Sequence, residues 1–134
     1  FVEVNGLAQQ LRAVRGEDRK RGSRVVDTRK MGPAVRKMRR VVLAGHFAHE
    51  LPCDCIVVLR CGLPELRKRL LGRGWSERKV RENVEAELFG VVEGEAREKQ
   101  GRVIVVDATR TGAEMVVKEI MQKLKASAKR SRGP

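Results

Sequence analysis

The stretch CIVVLRCGLPELRKRLLG, residues 55–72, decides the fold class of this 134-residue chain. Its opening run, Cys55–Leu59, is apolar and rich in β-branched residues, which is typical of a strand covered on both faces in a parallel sheet. Pro64 follows at a position that suits the first turn of a helix, and this helix is predicted to run to about Gly72. Because a strand leading directly into a helix is the unit of parallel α/β sheets, the stretch predicts an α/β protein.

Strand and helix patterns alternate on both sides of this stretch. Toward the N-terminus, the sequence predicts a strand end over Phe1–Val4, a short helix over Leu7–Leu11 and a charged loop over Arg15–Arg24. A second short helix over Val35–Met38 and a strand over Arg40–Leu43 follow.

Toward the C-terminus, the patterns predict one helix from Ser76 to near Gly101, a strand over Val103–Val106 and a final helix. The final helix is expected to bury Met115, Val117, Ile120, Met121 and Leu124. The predicted fold class is therefore α/β, a parallel β-sheet with flanking helices, in a single domain over residues 1–134.

Positive charge is concentrated at the two ends of the chain. The 30 Lys and Arg exceed the 17 Asp and Glu by 13, and this surplus lies in residues 1–40 and 118–134, whereas residues 41–117 are neutral. Basic ends on a neutral body are typical of proteins that contact polyanions, either nucleic acid or polyphosphate. The alternative is solvated faces with a frayed basic tail over 125–134. Aromatic residues do not interleave with the basic ones, so phosphate contact is expected rather than base stacking.

Three features narrow the class of protein. The longest apolar runs are far below the roughly 20 residues that a membrane-spanning helix needs, so no membrane association is expected. The three cysteines, Cys53, Cys55 and Cys61, suit no disulfide framework. Because such cysteines are ordinary in a reducing compartment, we expect a cytoplasmic protein. The chain opens at Phe1 without the pattern of a signal or transit peptide, so we expect it to begin within a longer protein.

Two histidines follow a predicted strand, in the segment AGHFAH over residues 44–49. Ligand sites of open parallel sheets lie at the carboxyl ends of strands, which makes His46 a candidate functional residue. Either His46 or His49 could instead cap a helix or satisfy a hydrogen bond in the core. A zinc site with Cys53 and Cys55 is a further alternative, but the spacing matches no common structural zinc signature, so no metal site is predicted.

Two arginines, Arg69 and Arg73, lie four residues apart beside Gly72 and Gly74. An arginine fork matches two phosphate oxygens and is always charged, so such a pair on a flexible segment suits polyphosphate transfer. A solvated helix end with favourably placed cations is the alternative. A phosphate-binding loop would need Gly-x-x-x-x-Gly-Lys-Ser/Thr, and none of the 13 glycines is followed by lysine.

Several short segments, in a fixed order, resemble one family: the small adenylate kinases linked to ribosome assembly, most similarly its archaeal branch. Individually these segments are weak, but Glu82–Leu88 preceded by Arg73-Gly-Trp is quite specific. In order, the segments are Val2–Ala8, Val25–Asp27, Gly45–His49, Val57–Arg60, Leu66–Leu70, Arg73–Glu77, Glu82–Leu88 and Val106–Thr109.

The resemblance implies a P-loop nucleoside monophosphate kinase that uses ATP and Mg²⁺ and transfers the γ-phosphoryl group of ATP to AMP. It also implies ATPase activity, a small-subunit ribosomal protein as a partner, and a role in ribosome biogenesis through maturation of the small ribosomal RNA.

The resemblance also assigns roles to residues of this chain. The lid would cover about residues 72–82, with Arg73 as its ATP-contacting, catalytic arginine and Arg69 as a second phosphate ligand. His46 would be the catalytic histidine of the family's Asp-x-His element. Residues 3–26 would form the monophosphate-binding segment with Asn5 near the acceptor. The adenine ring would lie close to Asp107 and Thr109.

Two departures from the family pattern shape these expectations. Ala44 stands where the family has an acidic residue two positions before the histidine. The first strand and the P-loop, about thirty residues of the pattern, are missing, so we expect a truncated piece of a longer kinase that is itself inactive and poorly stable. The alternative is a non-catalytic basic module that binds ribosomal RNA or a ribosomal protein.

Overall fold

The computed structural model describes residues 1–20, 23–99 and 102–131. This part of the chain forms two compact units, Phe1–Asp54 and Cys55–Pro134. Each unit contains one pair of parallel strands with helices, which confirms the predicted α/β class. The single-domain organisation over residues 1–134 stays a prediction.

The first unit is built around a parallel strand pair and two helices. Val2 of β1 pairs with Leu43 of β4, and the N-terminal part of α1 packs with α2 through a core that includes Val4, Leu7, Met31 and Leu51. The elements in chain order are β1 (Val2–Glu3), α1 (Val4–Gln10), β2 (Val14–Asp18), β3 (Ser23–Val26), α2 (Thr28–Arg36), β4 (Leu43–Ala44) and a 3₁₀ turn (Ala48–Glu50).

An antiparallel ribbon of β2 and β3 replaces the charged loop expected over Arg15–Arg24, so that expectation is wrong. The ribbon begins with Val14 opposite Val26. The middle of β2 is exposed on both faces, so charged residues are tolerated there and the alternating apolar pattern that identifies a strand is absent. Arg21 and Gly22 of this expected loop lie outside the described residues.

Two other boundaries in this unit differ from the predicted ones. The helix α2 begins at Thr28, well before Val35, because Asp27 accepts a hydrogen bond from the Arg29 N–H and caps it. The strand predicted over Arg40–Leu43 begins only at Leu43. Arg40 has a left-handed backbone, with φ at 51°, which turns the chain before pairing can start.

The second unit contains a longer parallel pair and four helices. Its strands run in register from Ile56 opposite Val103 to Arg60 opposite Asp107. The elements are β5 (Ile56–Arg60), α3 (Leu63–Gly72), α4 (Glu77–Leu88), α5 (Val91–Lys99), β6 (Val103–Asp107) and α6 (Ala113–Ser131). Predicted strands and the helix that starts near Pro64 are confirmed here, and none of the helices in the described ranges is long and apolar enough to cross a membrane.

The long helix predicted from Ser76 to near Gly101 is wrong, because the chain breaks at Phe89 and Gly90 into α4 and α5. Gly90 has a left-handed φ of 61°, which ends α4. Ser76 does cap α4, since its side chain accepts a hydrogen bond from the Lys79 N–H. Gly101 itself lies outside the described residues.

The prediction for the buried face of α6 is confirmed at Ile120 and Leu124 and wrong at Met115, Val117 and Met121, while Val116 was missed. Val116, Ile120 and Leu124 pack on β6, whereas Met115 and Val117 are each 57% exposed and Met121 is 49% exposed. The apolar stripe of α6 is wider than the surface that β6 offers, so periodicity alone could not identify the covered side. The last three residues of the basic tail, 132–134, lie outside the described ranges.

Candidate functional site

The carboxyl ends of β5 and β6 lie side by side and are joined by two hydrogen bonds. The Ala108 N–H donates to the Arg60 carbonyl at 2.8 Å, and the Gly62 N–H donates to the Thr109 hydroxyl oxygen at 2.8 Å. In open α/β sheets, ligands bind outside this end of the strands. The two strand exits therefore form the framework of a candidate site.

Asp107 and Thr109 form a closed turn at this edge. The Thr109 N–H donates to Asp107 Oδ1 at 2.9 Å, and the Thr109 hydroxyl donates to the same oxygen. These two hydrogen bonds hold the pKa of Asp107 below its usual value, and the one from the hydroxyl contributes most. The turn thus contains an ionised carboxylate, and its threonine hydroxyl links β6 to β5 by accepting the hydrogen bond of the Gly62 N–H.

Arg69 is directed at the same turn from helix α3. Its Nη1 donates to the Ala108 carbonyl at 3.0 Å and its Nη2 to the Thr109 carbonyl at 2.9 Å. Its Nε donates to Glu65 at 2.9 Å, one helical turn earlier. The structure therefore brings three predicted residues together, Arg69, Asp107 and Thr109, with the guanidinium bound to the loop backbone.

Arg73 stands at the C-terminal end of the same helix, where it is the capping residue of α3. Its side chain is exposed, and within the described part of the chain it makes no hydrogen bond or ion pair. By contrast, Arg67 of α3 forms an ion pair with Glu77 of α4 at 2.9 Å. The predicted lid, residues 72–82, comprises the last residue of α3, a four-residue turn and the first half of α4. Arg73 is the first residue of that turn.

The turn between α3 and α4 contains the single tryptophan of the chain. Gly74 before it has a left-handed φ of 78°. The ammonium of Lys79 lies 4.1 Å from the centre of the Trp75 ring, a cation–π contact. The turn therefore contacts α4 through Trp75 and Lys79. The Arg73 side chain makes no hydrogen bond or ion pair within the described residues.

His46 belongs to the first unit and follows β4 directly. Gly45 before it has φ at 150°, and a Cβ there would lie 2.1 Å from a methyl carbon of Val4. Only glycine lets the backbone approach so closely, and the turn it makes leaves His46 exposed beyond the strand. His49, in contrast, is buried at 7% exposure, so the core alternative weighed for the two histidines fits His49 better.

Glu3 lies between His46 and Asn5 and was not singled out by the sequence. Its carboxylate accepts hydrogen bonds from the N–H groups of Asn5 and Gly6, each at 2.9 Å, and so caps α1. These backbone hydrogen bonds, with a smaller contribution from the charge of His46, hold the pKa of Glu3 below its usual range. Asn5 is exposed on the first turn of α1. The structure thus places Asn5 and His46 around one carboxylate.

His, Cys, Asp and Glu side chains are the usual protein ligands of metal ions. Across residues 1–20, 23–99 and 102–131, no group of three or more His, Cys, Asp or Glu side chains could hold a metal ion. Within the described residues, Cys53, Cys55 and Cys61 form no disulfide bond.

Comparisons with known proteins agree with the geometry. The model of the AAA domain family matches residues 1–90. A protein of Thermococcus onnurineus is 44% identical over 95 residues, which are 71% of this chain and 53% of the relative. A protein of Pyrococcus abyssi is 43% identical over 97 residues, which are 72% and 54%. A protein of Methanocaldococcus jannaschii is 29% identical over 133 residues, which are 96% and 73%.

All three relatives carry the printed name "Putative adenylate kinase". The chain spans about half the length of the first two. The expected α/β fold of the P-loop nucleotide kinase type is confirmed by the family match together with the parallel pairs β1–β4 and β5–β6. Because the matched residues 1–90 make up more than half of its 134 residues, the chain belongs to the AAA domain family.

Proposed function

We propose that this protein is an adenylate kinase-like phosphotransferase that moves the γ-phosphoryl group of ATP to AMP, with Mg²⁺ bound through the nucleotide. The observation that carries the proposal is the 43–44% identity to two archaeal relatives that bear the adenylate kinase name. The guanidinium of Arg73, which has no partner within the described residues and lies beside a turn rich in glycine, supports it, because phosphoryl transfer depends mainly on positioning and on neutralising phosphate charge.

Arg73 is proposed as the catalytic group that contacts the phosphates of ATP. An arginine without a protein partner can offer both prongs of its fork to phosphate oxygens. Arg69 is proposed as the second phosphate ligand. Its contacts with Ala108 and Thr109 leave one N–H of Nη2 for a phosphate oxygen.

The remaining roles concern the base, the acceptor and the metal. We assign the adenine ring to the turn of Asp107 and Thr109, whose fixed backbone can recognise a base edge. Asn5 is assigned to the acceptor nucleotide, within the monophosphate-binding segment of residues 3–26. His46 is assigned to placing water or the magnesium ion, although Ala44 does not supply the acidic neighbour that the family pattern has.

The proposal is tested by assaying ADP formation from ATP and AMP with the protein produced from the whole reading frame that encodes these residues. Transfer to AMP that needs Mg²⁺ would support the proposal, and its absence with every nucleoside monophosphate would overturn it. The expected phosphate-binding loop is tested separately, by reading the coding sequence ahead of Phe1 for Gly-x-x-x-x-Gly-Lys-Ser/Thr.

A second candidate function is favoured by the charge of α2 and the residues that follow it. Arg36, Lys37, Arg39 and Arg40 are all exposed at the end of this helix, and Asp27 at its start is engaged by Arg15. Such a cationic face supports a basic module that binds ribosomal RNA or a ribosomal protein. RNA affinity that falls steeply with salt would support this function, and binding that does not depend on salt would contradict it.

Both functions can coexist in one protein, since the basic surplus lies outside the neutral middle of the sequence. On this basis we also propose ATPase activity, cytoplasmic localisation and a role in small ribosomal subunit maturation with a small-subunit ribosomal protein. Co-purification of the tagged protein with small-subunit precursors from its host would test the ribosomal role.

A further inference from the structure

The break between α4 and α5 is wrapped around the side chain of Arg60, the last residue of β5. Arg60 Nε donates to Glu87 Oε1 at 2.6 Å, and Nη2 donates to the Glu87 carbonyl at 2.8 Å. Nη1 donates to Glu93 Oε2 at 2.8 Å. All three nitrogens of the guanidinium are therefore bound to the end of α4 or the start of α5.

Glu87 is also bound to the backbone at the end of β5. Its Oε1 accepts a second hydrogen bond, from the Cys61 N–H at 3.0 Å. The side chains of Glu87 and Glu93 are only 18% and 23% exposed, so water competes weakly for these charges. A Cβ on Gly90 would lie 3.2 Å from Arg60 Nη1, which shows how closely the chain turns around the guanidinium.

The helices α3 and α4 form a hairpin with Arg73 at its tip, and each helix is attached to the strand exits by one arginine. Helix α3 is attached by Arg69 of its last turn, which binds the Ala108 and Thr109 carbonyls. The end of α4 is attached by Arg60 through Glu87. Both attachments are made at the carboxyl edge of the β5–β6 pair, which is the edge where ligands of this fold class bind.

We propose that Arg60 is a positioning residue for the nucleotide triphosphate. It fixes the end of α4 on the strand exits and thereby sets where Arg73 meets the phosphates. Because all three of its nitrogens donate to Glu87 or Glu93, Arg60 is proposed to act through the hairpin rather than as a phosphate ligand. This inference rests on the proposed phosphotransfer function.

The experiment compares Arg60→Gln, Glu87→Gln and the double variant in the whole protein. We expect each single change to lower kcat/KM for ATP by about tenfold, since small displacements of a phosphate ligand slow the reaction, while KM for AMP changes by less than about twofold. The double variant should be no worse than the single ones, because both act through one contact.

The matched control is Arg97→Gln, which removes the other partner of Glu93 and leaves Glu87 bound to Arg60. It should retain the ATP kinetics of the unchanged protein. Equal losses for ATP and AMP, additive losses in the double variant, or an equal loss in Arg97→Gln would overturn the positioning role. If Arg60→Gln fails to fold, Glu87→Gln decides, since it removes the charge that pairs with Arg60 but keeps an amide oxygen that can accept the hydrogen bond of the Cys61 N–H.

Two measurements without turnover separate this inference from the proposed function. Equilibrium dialysis with ATP should show affinity weakened by about tenfold in Arg60→Gln. Hydrogen exchange should accelerate at the amides of residues 88–92 while those of β5 and β6 stay protected. If the unchanged protein binds ATP but transfers nothing to AMP, the proposed function fails and these measurements still decide the role of Arg60. If it does not bind ATP, both fail.

Discussion

At the scale of single residues, the site at the strand exits combines side chains that are hydrogen-bonded to the protein with Arg73, whose side chain has no such bond within the described residues. Arg69, Asp107 and Thr109 spend most of their hydrogen-bonding capacity on each other and on the strand exits. Arg73 makes no such contact within the described ranges. A side chain that is kept charged and unpaired beside a turn is the one that a ligand can recruit without first breaking a protein contact.

Replacing Arg73 with alanine should therefore affect turnover far more than stability. We expect Arg73→Ala to lower kcat by at least about tenfold, because a phosphate-neutralising arginine contributes to the transition state. Arg67→Ala is the matched control, since it removes an exposed arginine of the same helix that pairs with Glu77. Near-normal turnover of Arg73→Ala in a phosphotransfer assay would remove its catalytic role.

The sequence predicts the residues proposed to contact the nucleotide better than the ion pairs that hold the helices in place. Asp107 and Thr109 follow from the family resemblance and Arg69 also from its spacing to Arg73, and the structure brings these three residues together. Arg60 and Glu87 were missed because they are 27 residues apart in sequence, and a single chain gives no pattern that pairs them. Glu3 was missed for another reason, since glutamate is an uncommon helix cap and local rules favour Ser, Thr, Asp and Asn.

At the scale of secondary-structure elements, prediction succeeded for the covered strands and failed for an exposed ribbon and for a helix that is interrupted. The strands β5 and β6 have continuous apolar runs, and Pro64 marks the start of α3, so these elements were predicted closely. The ribbon β2–β3 carries charges on an exposed surface and gives no period. The division into α4 and α5 depends on a left-handed glycine and a distant arginine, neither of which periodicity reports.

Two glycines near this division offer a test of why the helix ends. Gly90→Ala should destabilise the protein by about 1–2 kcal/mol, because its left-handed backbone does not suit alanine. Gly94→Ala, in the exposed middle of α5 with nothing near its Cβ position, should stabilise it by about 0.5–1 kcal/mol. Urea unfolding of both variants measures the difference, and equal effects would mean that Gly90 does not end α4.

The strand exits should respond to acid through Asp107. Its pKa in the folded protein is lowered, so its stabilising contribution is present above the ordinary carboxyl value and is lost as the pH falls through the folded value. We therefore expect Asp107→Asn to unfold at a lower temperature than the unchanged protein at pH 7. The gap between the two Tm values should narrow below about pH 4. A gap that stays constant down to pH 2 would contradict this account.

At the scale of the whole molecule, the net charge of +13 is the dominant property that the fold leaves unexplained. The ion pairs of the second unit, such as Arg60 with Glu87 and Arg97 with Glu93, use arginines from the neutral middle of the sequence. The cations at the end of α2 have no acidic neighbours of this kind among the described residues. They are therefore the part of the surplus best placed to meet a polyanion.

Charge reversal can locate the surface that binds RNA. The triple change Arg36→Glu, Lys37→Glu and Arg39→Glu should weaken binding to duplex RNA by at least about tenfold at moderate salt and reduce the salt dependence. The control reverses three exposed cations of the neutral middle of the sequence, Lys68, Arg81 and Lys99, and so changes the net charge equally. Equal losses in a fluorescence anisotropy titration would indicate net charge rather than a defined surface.

The position of Trp75 has an optical consequence. The 134 residues contain one tryptophan and no tyrosine, so near-ultraviolet absorption and emission of this chain come almost entirely from the turn between α3 and α4. The indole lies against the ammonium of Lys79 and two residues from Arg73. Any event that moves this turn changes the surroundings of the only strong fluorophore, so the turn can be observed in solution without an added dye.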